Sequence, residues 1–440
     1  MTKVTFLGLG RMGPHGVAGV PGRGRVKAEV ATTMLGREQG ATAMDRIKQG
    51  PGTSRKRESM TREPRITYRF KRARQFEFWF QWIVGAQTHG TAEAAECFSA
   101  ASGMRDGQPD TWRDAWTEQA QRAQARAETA RQHGHAVSAR EAYLRAYTYY
   151  RAALLFMRPR TDPRYRPQLA KARTCFRTAA TLFDPPFEVL AIPFDGATLP
   201  GYFLKPDASG TPRPTLLMIG GGDTIVEDLY AYIGPAGLKR GYNVLMVDLP
   251  GQGDLPFVGL VMRPDAEVPM RAVVGYALGR PDVDPERLAA YGISGGGYLV
   301  PRAATRERRL RACVANSLVL DLTGIWGERL AAADRSLLYR TLLKLPLPQI
   351  RSALVLLDTY KWRWGVETLP DLYEVSKAFT LDPGEITCPI LNVVAEQEWE
   401  VVGPTRRWAE LCRERAPHPR SRLVVTPATK ARTATPSAAT

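Results

Sequence analysis

Tyr291-Gly292-Ile293-Ser294-Gly295-Gly296-Gly297-Tyr298 is the stretch on which the reading of this chain turns. It contains Gly-x-Ser-x-Gly at Gly292, Ser294 and Gly296. Arg287-Leu288-Ala289-Ala290 leads into it with the apolar character of a strand, and Leu299-Val300 and Arg302-Ala303-Ala304 behind it suit a helix. Strand, tight turn and helix in that order are what a nucleophile elbow requires. Glycines flank the serine because so sharp a turn leaves no room for side chains, and the serine itself must sit in a strained conformation. Its Oγ then stands at the C-terminal edge of a sheet, at the positive end of the next helix. The five-residue pattern alone is weak, since Gly and Ser fill many loops. Its surroundings carry the argument.

Working outward, strands and helices alternate on both sides. Phe187–Phe194 and Leu199–Leu204 alternate in strand fashion around Asp195-Gly196 and read as a β-hairpin. Pro214–Ile219 is a short apolar run, as expected of a buried parallel strand, and Gly220-Gly221-Gly222-Asp223 follows it. A helix from Glu227 to Leu238 precedes the strand Tyr242–Val247, which leaves into Asp248-Leu249-Pro250-Gly251-Gln252-Gly253. Helix is expected at about 267–279, and strands at 310–317, Pro389–Val394 and Leu423–Val425. A helix through Thr405–Arg413 lies between the last two, and residues 322–381 read as a helical, irregular insertion. This pattern implies a mostly parallel sheet covered by helices, an α/β fold over residues 186–426.

Residues 66–185 have a different character. Tyr68, Phe70, Phe76, Phe78, Trp79, Phe80, Trp82 and Ile83 crowd together, and a helix from Thr111 to about Gln132 follows. Ser138-Ala139-Arg140-Glu141 reads as a capping box opening a helix to about Met157. In it Tyr143, Ala146, Tyr147, Tyr150 and Leu154 repeat at three and four positions. That stripe reads as helix–helix core, with a pocket lining as the alternative. A further helix spans about 167–182, so this is a helical domain. Residues 1–65 and 427–440 are read as a disordered extension and a low-complexity tail.

Composition narrows the function. Residues 1–66 hold 13 Lys/Arg against 5 Asp/Glu, and residues 413–440 hold 6 against 1, so most of the net charge of +17 sits at the two ends. The body is nearly balanced, which argues against specific nucleic-acid binding. No run of 18 apolar residues is present, and the first residues carry no apolar leader core. A cytoplasmic protein without a membrane span is expected. Cys97, Cys175, Cys313, Cys388 and Cys412 are scattered, as reduced structural thiols are, and suggest no metal site. Gly8-x-Gly10-x-x-Gly13 resembles a dinucleotide fingerprint, but Pro14 and the glycines after it break the helix that the motif needs. No cofactor is expected.

A serine hydrolase needs a nucleophile, a base, an orienting acid and donors for the oxyanion. Ser294 is the nucleophile candidate, and a helix-capping serine is its plainer reading. The backbone N–H of Gly295 and one from Gly221-Gly222 are the candidate oxyanion donors, in the loop where this chemistry places them. Glu398, just past the strand at 389–394, is the candidate acid, with Glu396 and Asp321 in reserve. The base should be a histidine after the last strand, yet residues 426–440 contain none. His418 precedes that strand, His133 and His135 flank Gly134 in a linker, and His15 and His89 read as surface residues.

Residues from about 66 to 425 resemble the α/β-hydrolase family with a helical N-terminal domain, the group of dihydroxypseudooxynicotine hydrolase and the fermentation–respiration switch protein. The stretches that carry the resemblance are Ala142–Ala146, Tyr149–Ala153, Gly220–Thr224, Gly241–Gly253, Gly292–Tyr298 and Pro301–Ala304. It implies hydrolysis of an ester, or of a carbon–carbon bond next to a carbonyl, in a small molecule. It also implies a pocket between helical domain and sheet, and commonly a homodimer. By position it implies Ser294 as nucleophile and Glu398 as acid. Both ends depart from the family: residues 1–60 match nothing in it, and the region that should carry the catalytic histidine reads Thr/Ala/Pro. A catalytically impaired member that binds or regulates is therefore the alternative expectation.

Overall fold

The computed structural model describes residues 69–317, 348–396, 399–415 and 421–426, all within one compact unit. The expectations for residues 1–65, the Gly8–Gly13 motif and the tail from 427 lie outside the described residues.

Five helices come first: α1 (Arg74–Gly85), α2 (Ala94–Ser102), α3 (Pro109–Gln132), α4 (Ala136–Leu154) and α5 (Tyr165–Thr181). In α1, Phe76, Trp79, Phe80 and Ile83 fall on one face and are buried. Pro109 starts α3, where a missing N–H costs nothing. Ala120, Ala123 and Ala127 of α3 and Ala139, Ala142 and Ala146 of α4 are buried, and their small side chains let the two helices lie close. Gly134, at φ +75°, makes the turn between them. That turn places His135 at the N-cap, so α4 starts before Ser138 and the expected capping box does not form. The tyrosine stripe is core, as read, and Tyr149 is buried with it.

The sheet strands are β1 (Glu188–Phe194), β2 (Ala197–Leu204), β3 (Arg213–Ile219), β4 (Asn243–Val247), β5 (Val283–Ile293), β6 (Ala312–Asn316), β7 (Ile390–Ala395) and β8 (Ser421–Thr426). Asp195 (φ +49°) and Gly196 (φ +73°) form the left-handed hairpin turn between β1 and β2. The spatial order is β1-β2-β4-β3-β5-β6-β7-β8. β1 and β2, and β2 and β4, pair antiparallel, and the remaining pairs are parallel. Between and beyond the strands run α6 (Leu229–Leu238), α7 (Glu267–Leu278), α8 (Gly296–Ala304), α9 (Pro348–Trp364), α10 (Leu369–Ser376) and α11 (Trp399–Arg415).

The strand alternation decides what covers each face. Tyr202, Met218, Val244 and Met246 point into one core with α1–α6, whereas Phe203, Leu217, Leu245 and Val247 point into another with α7, α8 and α10. The helical segment and the sheet thus share a continuous core, with the Phe176 ring of α5 5.0 Å from Tyr202 of β2. After β3 the chain passes to one neighbour, β4, and then crosses to the other, β5. The loops leaving β3 and β5 therefore face each other across the point where the winding reverses, the place where open α/β sheets bind ligands.

Candidate active site

Ser294 closes the turn between β5 and α8. Its φ is +55°, a conformation that costs a non-glycine residue about 1–3 kcal/mol and persists only where the surroundings enforce it. The Ser294 N–H donates to the Asn316 carbonyl at 2.9 Å, and its own carbonyl accepts from Gly297 N–H at 2.8 Å. A methyl group on Gly292 would overlap the Gly296 carbonyl, and one on Gly296 would stand 2.6 Å from the Gly220 carbonyl. Both glycines of the motif are thus demanded by close backbone approach. The Ser294 side chain is exposed.

The loop after β3 lies directly against this turn. A methyl on Gly221 would be 2.9 Å from Ser294 Cβ and 3.2 Å from its Oγ, and one on Gly295 would be 2.9 Å from the Gly222 nitrogen. The sequence candidates Ser294, Gly221, Gly222 and Gly295 are therefore neighbours in space. Among the described residues, neither the Gly222 nor the Gly295 N–H donates to another group.

Side chains from three directions hold the Gly220, Gly221 and Asp223 carbonyls and the Asp223 carboxylate. Gln252 Nε2 donates to the Gly220 and Gly221 carbonyls, and Thr224 Oγ1 to Gly221 at 3.2 Å. Arg151 of α4 donates to the Asp223 carbonyl and, at 3.0 Å, to Asp228 Oδ2. Tyr147 donates to the other Asp228 oxygen. Burial, then the Asp228 charge, pushes the Tyr147 phenol well above its ordinary range, so it remains a donor. Tyr360 of α9 donates to Asp223 Oδ2 at 2.8 Å, and its ring covers Gly222, where a methyl would be 3.0 Å from Cε1. Burial raises the Asp223 carboxyl above its ordinary value against the pull of Arg363. Farther back, Asp248 accepts from Val226 N–H at 3.0 Å, and burial with the Glu227 charge pushes its carboxyl well up.

The acid and base expectations meet this geometry differently. Glu398, Asp321, His15 and His418 lie outside the described residues. Glu396 is exposed just past β7, its N–H donating to the Thr426 carbonyl at 2.9 Å. β7 is two strands from β5, so Glu396 emerges at the Ser294 edge of the sheet, about 10 Å across. Ser421 opens β8 and pairs with Ile390 at the start of β7. His133 and His135 are exposed at the α3–α4 turn, while Arg151, which reaches the loop, is about 22 Å farther along α4. His89 is not a surface residue as expected. It is half-buried, its Nε2 stands 3.2 Å from the Tyr232 carbonyl, and burial lowers its pKa.

Sequence reasoning missed Tyr360, Arg151, Asp228 and Gln252 as companions of the site. Gln252 stood inside a quoted Gly-Gln-Gly motif, and Tyr360 in a region read only as an insertion. A cleft of about 480 Å³ opens elsewhere, among Pro109, Arg113, Phe156, Arg158 and Val355. Its arginines are paired, Arg113 with Asp110 and Asp114, and Arg158 with Asp358. None of its lining residues belongs to the Ser294 cluster. No helix among the described residues is long and apolar enough to cross a membrane, and all five cysteines are buried and unpaired.

With this geometry in view, residues 82–324 match the family model described as "Esterase FrsA-like". "Hydrolase ORFZ" of Pyricularia oryzae is 38% identical over 263 residues, covering 56% of this chain and 62% of that protein. "Hydrolase LUC6" of a Fusarium species is 33% identical over 340 residues, covering 72% and 80%. Against the first relatives, ORFZ among them, the match spans 60–65% of the relative's own length. In fold, the chain resembles the crystal structure of 2,6-dihydroxy-pseudo-oxynicotine hydrolase, with a TM-score of 0.62 and 23% identity over 78% of this chain and 88% of that one.

Proposed function

This chain belongs to the FrsA-like esterase family, and on that premise we propose that it is a serine hydrolase cleaving an ester, or a carbon–carbon bond beside a carbonyl, in a small molecule. The observation that carries this reading is Ser294, held at φ +55° and exposed, with Gly221 and the N–H groups of Gly222 and Gly295 beside it.

In this reading Ser294 Oγ attacks the substrate carbonyl carbon. The charge that develops on the carbonyl oxygen is met by the N–H groups of Gly222 and Gly295, and Gly221 keeps the approach open. Each such donor contributes about 10²–10³ in rate, because it is aimed before the reaction starts. The tetrahedral adduct collapses, the leaving group departs with a proton, and water then frees the acyl group from Ser294. Glu398 is the orienting acid, by its position after β7. An imidazole is the base this chemistry ordinarily uses.

The second reading is a hydrolase-fold protein with impaired catalysis that binds a carbonyl compound. Its support is that His89, His133 and His135 are engaged or placed elsewhere. Hydrolysis of p-nitrophenyl butyrate by the full chain and by Ser294→Ala decides between them. The first reading predicts turnover that falls by about 10³-fold or more in the variant. Equal turnover in both proteins would sink it, and no turnover in either would favour the second reading.

A further inference from the structure

We propose that Gln252 is a positioning residue for the oxyanion site: it sets the direction in which the Gly221 and Gly222 N–H groups point. The inference rests on the reading of Gly222 and Gly295 as oxyanion donors. Gln252 lies in the loop after β4 and is fully buried. Its Oε1 accepts from Leu249 N–H at 2.8 Å. That contact fixes the orientation of the amide, because only its oxygen can face a donor. Nε2 is thereby turned toward the β3 loop, and its two hydrogens serve the Gly220 carbonyl and, at 3.3 Å, the Gly221 carbonyl.

The consequence follows from peptide planarity. In a trans peptide the C=O and the next residue's N–H point in opposite directions. The Gly220 carbonyl shares a peptide with the Gly221 N–H, and the Gly221 carbonyl with the Gly222 N–H. Drawing both carbonyls to Gln252 turns both N–H groups to the other side of the loop. Ser294 and Gly295 border that loop: a methyl on Gly221 would be 2.9 Å from Ser294 Cβ, and one on Gly295 2.9 Å from the Gly222 nitrogen. Three successive glycines have no side chains to restrict their rotation, so the loop needs an outside anchor. Gln252 reaches two consecutive carbonyls from one buried amide, whereas Thr224 Oγ1 reaches only one of them. Gln252 touches no reacting atom in this account and acts through the peptides it holds.

The test measures kcat and KM on p-nitrophenyl butyrate from pH 5 to 9, with thermal unfolding alongside. The proteins are the full chain, Gln252→Glu, Gln252→Met and Ser294→Ala. Glu keeps the acceptor for Leu249. When ionised it presents one negatively charged oxygen to the two carbonyls, and when protonated it donates to one of them. The proposal predicts that kcat falls by about 10²-fold in Gln252→Met at every pH, with KM within about threefold. In Gln252→Glu the deficit should be larger at pH 9 than at pH 5, because the carboxyl must hold its proton to donate. A purely structural role would not produce that recovery in a protein that is folded at both pH values. Folded variants with kcat within about threefold of the parent would overturn the proposal. So would a parallel loss of kcat, KM and melting temperature without the pH difference, or unfolding of both variants at the assay temperature. If the parent shows no turnover that Ser294→Ala removes, the reading of the site itself fails and the proposal falls with it. If the parent turns over and the variants match it, only the role of Gln252 falls.

Discussion

Ser294 and Gly292 make demands that are local, and for that reason they were legible in the sequence. The positive φ at Ser294 and the contact of Gly292 with the Gly296 carbonyl arise within a few residues of chain. Gly221, Gly295 and Gly296 make a different demand, since the atoms each must avoid belong to the other loop, those of Ser294 in the case of Gly221. A methyl there forces either the loop or the serine to shift, at about 1–3 kcal/mol of overpacking. We expect Gly221→Ala to lower kcat on p-nitrophenyl butyrate by at least tenfold while the protein stays folded. Unchanged kcat would show that the loop does not border the reacting centre. The role of Gln252 could not be read from sequence, because its two carbonyl partners lie about thirty residues away and meet it only through the strand order.

At the scale of elements, α4 is tied to the site loop by a buried ion pair. Arg151 and Asp228 are 5% and 1% exposed, and Tyr147, one turn earlier on α4, shares the carboxylate. Removing one partner leaves the other charged and without its counterion, at a cost of about 3–5 kcal/mol. Arg151→Met should therefore lower the free energy of urea unfolding by that amount, and a change below about 1 kcal/mol would contradict the account. The tyrosine stripe that holds Tyr147 was legible as helical periodicity. Its polar partner was not, because a 3.6-residue period tells which face is buried and nothing about what meets it. A second tie joins β1 to the segment before β5, where Arg280 bonds Glu188 at 2.9 Å and Asp282 at 2.8 Å. Burial alone would raise both carboxyls, but the Arg280 guanidinium, helped by Lys205, outweighs it and holds them below their ordinary values of 4.5 and 3.8. Lowered folded-state values mean that the stabilisation is present above those ordinary values and is lost as pH falls through the folded ones. Arg280→Met should then cost about 2 kcal/mol at pH 7 and progressively less toward pH 2. A cost independent of pH would refute the pairing as its source.

At the scale of the whole molecule, the sequence divides near residue 186 into a helical and a strand-bearing segment, yet the core runs through both. Phe176 packs on Tyr202, and Tyr230 of α6 stands 5.6 Å from Phe187 and 5.7 Å from Phe183. A shared core predicts one cooperative unfolding transition, seen alike by tryptophan fluorescence and by far-ultraviolet circular dichroism. Two separated transitions would show that the segments fold independently. Strand alternation, the fully buried β4 and the order of elements made the sheet readable in advance. The winding that brings the β3 and β5 loops together became legible only through the recognised elbow, because crossover order leaves no local mark in the chain. The central claim is that this fold holds Ser294 as an activated nucleophile. Its most direct measurement is reaction of the full chain with a fluorophosphonate probe, followed by mass spectrometry of its peptides. The account predicts one covalent adduct, on the peptide containing Ser294, that is absent from Ser294→Ala. No adduct, or an adduct that survives in the variant, would contradict it.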